Sequence, residues 1–439
     1  MTVKPAHLLF ATALSAAATV PAMAADTKPS LSPEEQAIVQ KVYADYESQV
    51  SFLEKLVNIN SGTRNLPGVK KVGATLAAEF NQLGFKTHWI DMPKEMDRAG
   101  HLSGELALGK GKKILLMGHM DTVFPKDSPF QTFRRDGDMA YGPGTADMKS
   151  GDVVILYALK ALKATGHLDA GTIRVFFTGD EESTGKPLSV SRGPLIDVAK
   201  ESDIALNFEG SSSGEAVVGR RGASGWSLEV TGKRAHSSGV FSPDVGAGAI
   251  FETARILNAF YNDVRGPHGL TFNPGVIAGG TYVKQGENRA AQSAYGKDNV
   301  VAQKVVVNGG LRFMSKEQKE AARAKMREIV AKHLPVTDAK ISFEDSYPAM
   351  QVRPESMALL HELSDITEAL GAGKVTPFPP EKRGAADVSF VAPYLPSMDG
   401  LGGFGGGDHT PQEWLNLEKQ KLATARIAVL LYRLLHPGQ

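Results

Sequence analysis

Ile114-Leu115-Leu116-Met117-Gly118-His119-Met120-Asp121-Thr122-Val123 is the stretch on which the fold turns. Its apolar run, with no polar residue alternating in it, predicts a strand covered on both faces, as in the centre of a parallel sheet. The run stops at Gly118, and His119 and Asp121 are the first strongly polar side chains after it. Two residues apart on an extended backbone, they point the same way. Asp121 is therefore placed to hydrogen-bond the His119 ring and hold the tautomer a metal needs. Alone, a histidine at a strand end is more often structural than functional.

The same shape recurs downstream. Ile173–Thr178 and Ile204–Phe208 are short, rich in branched or aromatic residues and bounded by Gly or Asp, which reads as buried strand. Gly179-Asp180-Glu181-Glu182-Ser183 follows the first and Glu209-Gly210 ends the second. Between Ile114–Met117 and Ile173–Thr178, Val153–Leu162 is long enough for a crossover helix, so strand, helix and strand alternate as in a parallel α/β sheet. Ligands collect at the carboxyl ends of such strands, where all three polar clusters fall. Upstream, Ile38, Val42, Tyr46, Val50, Leu53 and Leu56, then Leu76, Phe80 and Leu83, have helical spacing and predict helices packed on the sheet.

The pattern changes near Gly219. Trp226–Val230 alternates like a strand, Val245–Phe260 is an amphipathic helix, Lys304–Phe313 is strand, Gln318–His333 helix and Lys340–Phe343 strand. These five elements fit within a strand, helix, strand, strand, helix, strand order, which predicts a small α+β domain inserted at 219–345. The main domain is then split into 25–218 and 346–439, the second part holding the helical pattern Met357–Leu370, the Gly-rich stretch Gly400–Gly407 and a helix over Leu417–Leu435. A length of 439 residues fits two domains, since single domains cluster near roughly 100–200 residues.

Composition narrows the function. With 42% apolar and 22% charged residues, the chain is an ordinary globular protein. Lys and Arg number 49 against 48 acidic residues, a net charge of +1, so no global field favours nucleic acid or an anionic membrane. A small molecule in a local site is the expected partner. Lys4 and His7, the apolar run Leu8–Val20 and the small residues of Ala22-Met23-Ala24 read as a secretory signal over residues 1–24, giving a periplasmic or secreted protein. That run is shorter than the roughly 20 residues a membrane span needs. The chain has no cysteine, so any metal must be held by histidine and carboxylates.

Gly142-Pro143-Gly144-Thr145-Ala146-Asp147-Met148-Lys149-Ser150-Gly151 is a glycine-lined loop delivering Asp147 into the Val153 helix. It lacks the phosphate-loop spacing, and an acidic tip repels phosphate, so a cation is the better ligand. Three adjacent carboxylates at Asp180-Glu181-Glu182 are usually a solvated turn. Directly after a buried strand, however, they repel one another unless a cation sits among them. One can then ligate while its neighbour takes a proton from water. Gly407-Asp408-His409-Thr410 adds a late histidine beyond the Gly-rich loop. Such a His and carboxylate set suits zinc, cobalt or manganese rather than copper or an iron–sulfur cluster.

In order and spacing these motifs resemble the zinc metallopeptidases that include bacterial glutamate carboxypeptidase, aminoacylase, acetylornithine deacetylase and succinyl-diaminopimelate desuccinylase. The shared pattern is His-x-Asp-x-Val, Gly-x-Gly-x-x-Asp-x-Lys-x-Gly, Asp-Glu-Glu, a strand-end Glu and a late His, and it spans nearly the whole mature chain. The resemblance implies a mixed, mostly parallel sheet with helices on both faces and a ferredoxin-like lid and dimerisation insert. It implies two zinc ions, with cobalt or manganese possible, bridged by Asp147, with His119 and Glu209 completing one shell and Glu182 and His409 the other. Asp121 then orients His119, and Glu181 is the general base. His236, in Gly232-Lys233-Arg234-Ala235-His236-Ser237, aligns with a histidine that reaches a neighbouring subunit's site in a homodimer and stabilises the oxyanion. Asn299 and Arg312 align with positions that bind the substrate's carboxylate or carbonyl, a task suited to the arginine fork.

The chain departs from that pattern at Ala302, where Pro is frequent, and at Gly310, where Asp is frequent. Near Tyr347-Pro348 it lacks the arginine that contacts the substrate's glutamate side chain in the glutamate-specific enzyme. Arg220, Arg221 and Arg383 are the other available cations. The expected activity is hydrolysis of an amide or peptide bond in a small N-acyl amino acid, dipeptide or folate-like substrate. The alternatives are a deacylase or N-carbamoyl amidohydrolase of the same family, and a non-catalytic periplasmic metal or solute-binding protein, which needs no base beside Glu182.

Overall fold

A computed structural model describes residues 1–2, 29–210, 214–286, 291–382 and 384–438. The apolar run Leu8–Val20, the Ala22-Met23-Ala24 pattern and Arg383 lie outside the described residues.

The N-terminal helical pattern folds as α1 (Pro33–Ala44), α2 (Tyr46–Val57) and α3 (Leu66–Leu83). At the start of α1 the Ser32 hydroxyl accepts from the Glu35 amide while the Glu35 carboxylate accepts from the Ser32 amide, which satisfies two otherwise open helix-end donors. Five strands follow: β1 (Lys86–Ile90), β2 (His101–Ala107), β3 (Lys113–His119), β4 (Thr172–Thr178) and β5 (Ile204–Asn207). Helix α4 (Lys149–Ala164) is the crossover between β3 and β4.

Among the described residues these strands and Ser397–Met398 form one sheet in the order β1, β2, β4, β3, β5, Ser397–Met398. Strand β3 runs parallel to both β4 and β5, β5 parallel to Ser397–Met398, and β2 antiparallel to its two neighbours. The unbroken apolar reading of β3 has a direct cause. Ile114 and Leu116 enter the core made with the helices of one face, whereas Leu115 and Met117 enter a second core containing Leu195 and Val388 on the other. Burying such a side chain contributes roughly 1.5–3 kcal/mol, enough to offset the roughly 1–2 kcal/mol lost in fixing each residue's backbone.

The second sheet consists of β6 (Gly222–Gly232), β7 (Thr271–Gly280), β8 (Lys304–Phe313) and β9 (Thr337–Asp345), all antiparallel, in the order β7, β8, β6, β9. Helices α5 (Gly248–Asp263) and α6 (Lys316–Val330) supply Phe260 and Met326 to a separate core around Trp226, Leu228, Val307 and Leu311. Strand β7 had no strong strand signal, because Pro274, Gly275, Gly279 and Gly280 dilute it. It sits at the sheet edge with a register shift at Pro274/Val276, where proline is tolerated. The segments entering and leaving this region pair with each other through Arg220 and Met350, at 2.9 and 3.0 Å. The chain closes with α7 (Pro354–Ala369) and α8 (Leu417–Leu435), the latter packed in the core with α1 and α4.

Candidate metal centre

The carboxyl ends of β4, β3 and β5 lie side by side, so the topology alone brings Glu181 and Glu182, His119, and Glu209 to one edge of the sheet. Asp147 arrives from the loop before α4, and His409 from the turn after the Gly-rich segment, with φ of 62°. These side chains meet. His119 Nε2 is 3.1 Å from Asp147 Oδ1 and 3.8 Å from Glu209 Oε1, while His409 Nε2 is 3.1 Å from Asp147 Oδ2 and 3.2 Å from Glu182 Oε2. The result is two sets, His119/Asp147/Glu209 and Asp147/Glu182/His409, each with one donor atom per residue lying within 4.8 Å of the others. Asp147 turns one oxygen towards each set.

The donor set and its electrostatics fit divalent cations. Among the described residues, Asp147, Glu182 and Glu209 have histidine, and no lysine or arginine, as ion-pair partners. Crowded carboxylates raise one another's pKa. Burial pushes Glu209 up to about 8, His119 opposing and Asp147 adding to the shift. Burial and the Glu209 charge hold Glu181 well above the usual range. Hydrogen bonds to Asp147 and Glu182 push His409 up to about 11. The same crowding of negative charge would favour a hard cation at these atoms.

The ring of His119 is fixed from behind. Its Nδ1 lies 3.0 Å from the Asp121 carbonyl oxygen and 3.5 Å from the Asp121 carboxylate. A proton on Nδ1 leaves Nε2 as the lone-pair donor facing Asp147. The Asp121 carboxylate accepts from the amides of Glu181 and Glu182, at 3.0 and 3.2 Å, and from Thr63 Oγ1 at 2.6 Å. It therefore joins the first histidine to the Glu181–Glu182 turn, a wider role than ring orientation alone.

A second buried set holds that turn from the other side. Arg192, fully buried, bridges Asp180 and Asp387, with Nε 2.7 Å from Asp387 Oδ1. Asp180 also accepts from the Gly185 amide at 2.8 Å and the Ser191 hydroxyl at 2.7 Å. Tyr347 donates its hydroxyl proton to the Glu181 carbonyl at 3.0 Å. Arg192→Ala leaves two buried carboxylates unpaired, and the expected loss of stability is roughly 3–5 kcal/mol. Urea unfolding of the metal-free protein measures it, and a loss below about 1 kcal/mol would contradict this role.

Residues 115–433 match the peptidase family M20/M25/M40. The chain belongs to this family. As an M20 peptidase it is a metal-dependent peptidase or amidohydrolase. It is 31% identical over 369 residues to carboxypeptidase G2 of Pseudomonas sp. (strain RS-16), covering 81% of this chain and 82% of that one. Its fold is similar to that of aminopeptidase PepT from Bacillus cereus ATCC 10987, with a TM-score of 0.70 at 21% identity over 89% of this chain and 98% of the other. It is also similar to the Bacillus subtilis YXEP protein, a dinuclear metal binding peptidase of the M20 family, with a TM-score of 0.60 at 16% identity over 90% and 99% of the two chains.

Other residues expected at the site of this M20 peptidase lie on the second sheet's side of the molecule. His236 is exposed, its Nδ1 2.8 Å from Ser238 Oγ, and the Ser237 amide donates to the Asn299 carbonyl at 2.9 Å. Arg312 is exposed on β8, opposite Thr271 and Ala223. Among the described residues, none of the three hydrogen-bonds to the groups around Asp147. Arg220 is committed elsewhere: it is buried, its Nε donates to Asp399 Oδ2 at 2.6 Å, and its Nη1 to the Gly384 carbonyl at 2.7 Å. Arg221 Nη1 reaches Thr271 Oγ1 at 3.3 Å. Sequence reading passed over Thr63, Arg192 and Glu413. Each is a single polar residue whose partners are remote in the chain, and nothing in its neighbourhood marks it.

Proposed function

We propose that this M20 peptidase cleaves an amide or peptide bond in a small N-acyl amino acid, dipeptide or folate-like substrate at a dinuclear zinc site, with cobalt or manganese as substitutes. The observation that carries the reading is the placing of the two Asp147 oxygens, each 3.1 Å from a different histidine. In this reading His119 and Glu209 complete one ligand set, and Glu182 and His409 the other. Two divalent cations held there supply the charge that polarises a scissile carbonyl and acidifies water. Glu181 belongs to neither set, and its raised proton affinity suits a general base that accepts a proton from water and passes it to the leaving nitrogen. Arg312 and Asn299 offer the substrate a guanidinium fork and an amide.

Likeness to a carboxypeptidase over most of both chains supports hydrolysis beside a free carboxylate. One observation favours the deacylase or N-carbamoyl variant. Tyr347 stands near the position where the glutamate-specific enzyme has its arginine, and its hydroxyl is engaged with the Glu181 carbonyl and Thr184, so this side chain offers no positive charge to an acidic substrate side chain. The test is a panel of N-acyl amino acids, dipeptides and folate-like acyl-glutamates incubated with metal-replete protein while free amine is measured. Chelation should abolish release and zinc restore it. No release from any compound would contradict the proposed substrate classes.

A homodimer, in which the partner subunit's His236 reaches the site, and export to the periplasm belong to the same proposal. Exposed Ile250 and Phe251 on α5, with the Phe251 ring 5.5 Å from exposed Phe241, form the kind of apolar surface that subunits cover. An active monomer in light scattering would remove His236 from the site.

Metal uptake should depend on pH in a definite direction. With His409 raised to about 11 and Glu209 to about 8, both hold a proton at pH 7 in the metal-free protein, whereas ligation needs them deprotonated. Binding therefore releases protons, and affinity rises with pH. Calorimetry in buffers of different ionisation enthalpy should show net release of protons on metal binding. A buffer-independent enthalpy would contradict this.

A further inference from the structure

We infer that Glu413 is a positioning residue that sets the Asp147 loop against His409 and so fixes the spacing of the two ligand sets. The inference rests on the proposed metal reading. Glu413 is fully buried. Its Oε1 accepts from the amides of Ala146 and Asp147 at 2.7 and 3.0 Å, and its Oε2 from the Gly144 amide at 3.1 Å. One carboxylate thus gathers three backbone donors of the loop that carries the shared aspartate. A buried loop must satisfy such groups internally, and a charged acceptor does so with the strongest bonds available.

The same short turn holds His409. Thr410 donates its amide to the Gly407 carbonyl and Glu413 donates its amide to the Thr410 carbonyl, both at 3.1 Å. A Cβ on Gly407, whose φ is 73°, would lie 2.7 Å from the Gln412 carbonyl oxygen, so the turn closes tightly on itself. Directly after it, Trp414–Asn416 pairs with Met139–Tyr141, the segment that leads into the Gly142 loop. The imidazole of one ligand set and the carboxylate that shapes the loop of the shared ligand are therefore carried on one tightly closed turn. Glu413 itself faces backbone amides, so its part is to position.

Glu413→Gln separates this role from bulk packing. The glutamine has the same shape, but in either orientation its NH2 faces at least one backbone N–H, donor against donor. Zinc affinity by chelator competition, the visible spectrum of the cobalt(II)-loaded protein and the melting temperature without metal are measured together. Expected for Glu413→Gln are zinc binding weakened about 10–100-fold, the range for residues that orient ligands, an altered cobalt spectrum and a kcat reduced more than KM is changed. Glu413→Asp, which keeps the charge but shortens the reach, should recover part of the affinity, and it carries the test if the glutamine variant does not fold. Zinc affinity within twofold of the parent with a superimposable cobalt spectrum would overturn the inference. A parent protein that takes up no metal would instead overturn the proposed function on which the inference stands.

Discussion

Asp147→Ala is expected to abolish turnover and empty both ligand sets together. Each of the two histidines nearest the cluster faces an Asp147 oxygen, His119 through Oδ1 and His409 through Oδ2. Removing the side chain leaves each set with one histidine and one carboxylate, two donors where a tightly held zinc has at least three protein ligands. The measurement is metal content per chain after gel filtration, beside amine release. The expected result is less than about 0.2 ion per chain and no detectable release, because the chemistry depends on the Lewis acid. The Asp147 carboxylate is also pulled below its usual range, burial opposing and the two histidines prevailing. Its loss should therefore return both histidines towards ordinary titration. Full occupancy of either set in the variant would show that Asp147 is not shared.

Glu181→Gln should give the complementary phenotype, with metal retained and turnover lost. A positioned general base contributes roughly 10²–10⁴-fold, and glutamine keeps the shape without the proton affinity. Since Glu181 stands outside both ligand sets, metal content and KM should stay within about twofold of the parent while kcat falls by that factor. The amide of residue 181 still donates to Asp121, so the turn should remain in place. Activity within tenfold of the parent would remove Glu181 from the base role, and loss of metal would make it a ligand.

How much of this was legible in the sequence follows from where each residue's partners lie. The strand Ile114–His119 could be read because both of its faces are buried, which leaves an unbroken apolar signature. The neighbouring strand ends then placed Glu181, Glu182 and Glu209 beside it by topology alone. His409 is different: it comes from an irregular turn, so its motif is weak alone, and its pairing with Glu182 came only from likeness to a family. Strand β7 was hidden by Pro274 and its glycines, acceptable at an edge and therefore weak as signal.

The supporting groups were out of reach for a physical reason. Arg192 finds Asp387 across 195 residues of chain, and Glu413 finds the Asp147 amide across 266. A lone charged residue carries no periodicity that would announce such a meeting. Arg220, in the sequence one of three further available cations, is buried against Asp399 and forms part of the scaffold where the second sheet joins the first.

In the proposed function, one shared aspartate organises two cations at the edge of the parallel sheet. Titrating chelator-treated protein with zinc, while following both bound metal per chain and amine release from the most active panel compound, tests it most directly. Uptake of two ions per chain is expected, with release growing towards its maximum as the second set fills. Full activity at a single ion per chain, or activity that survives with none, would contradict it.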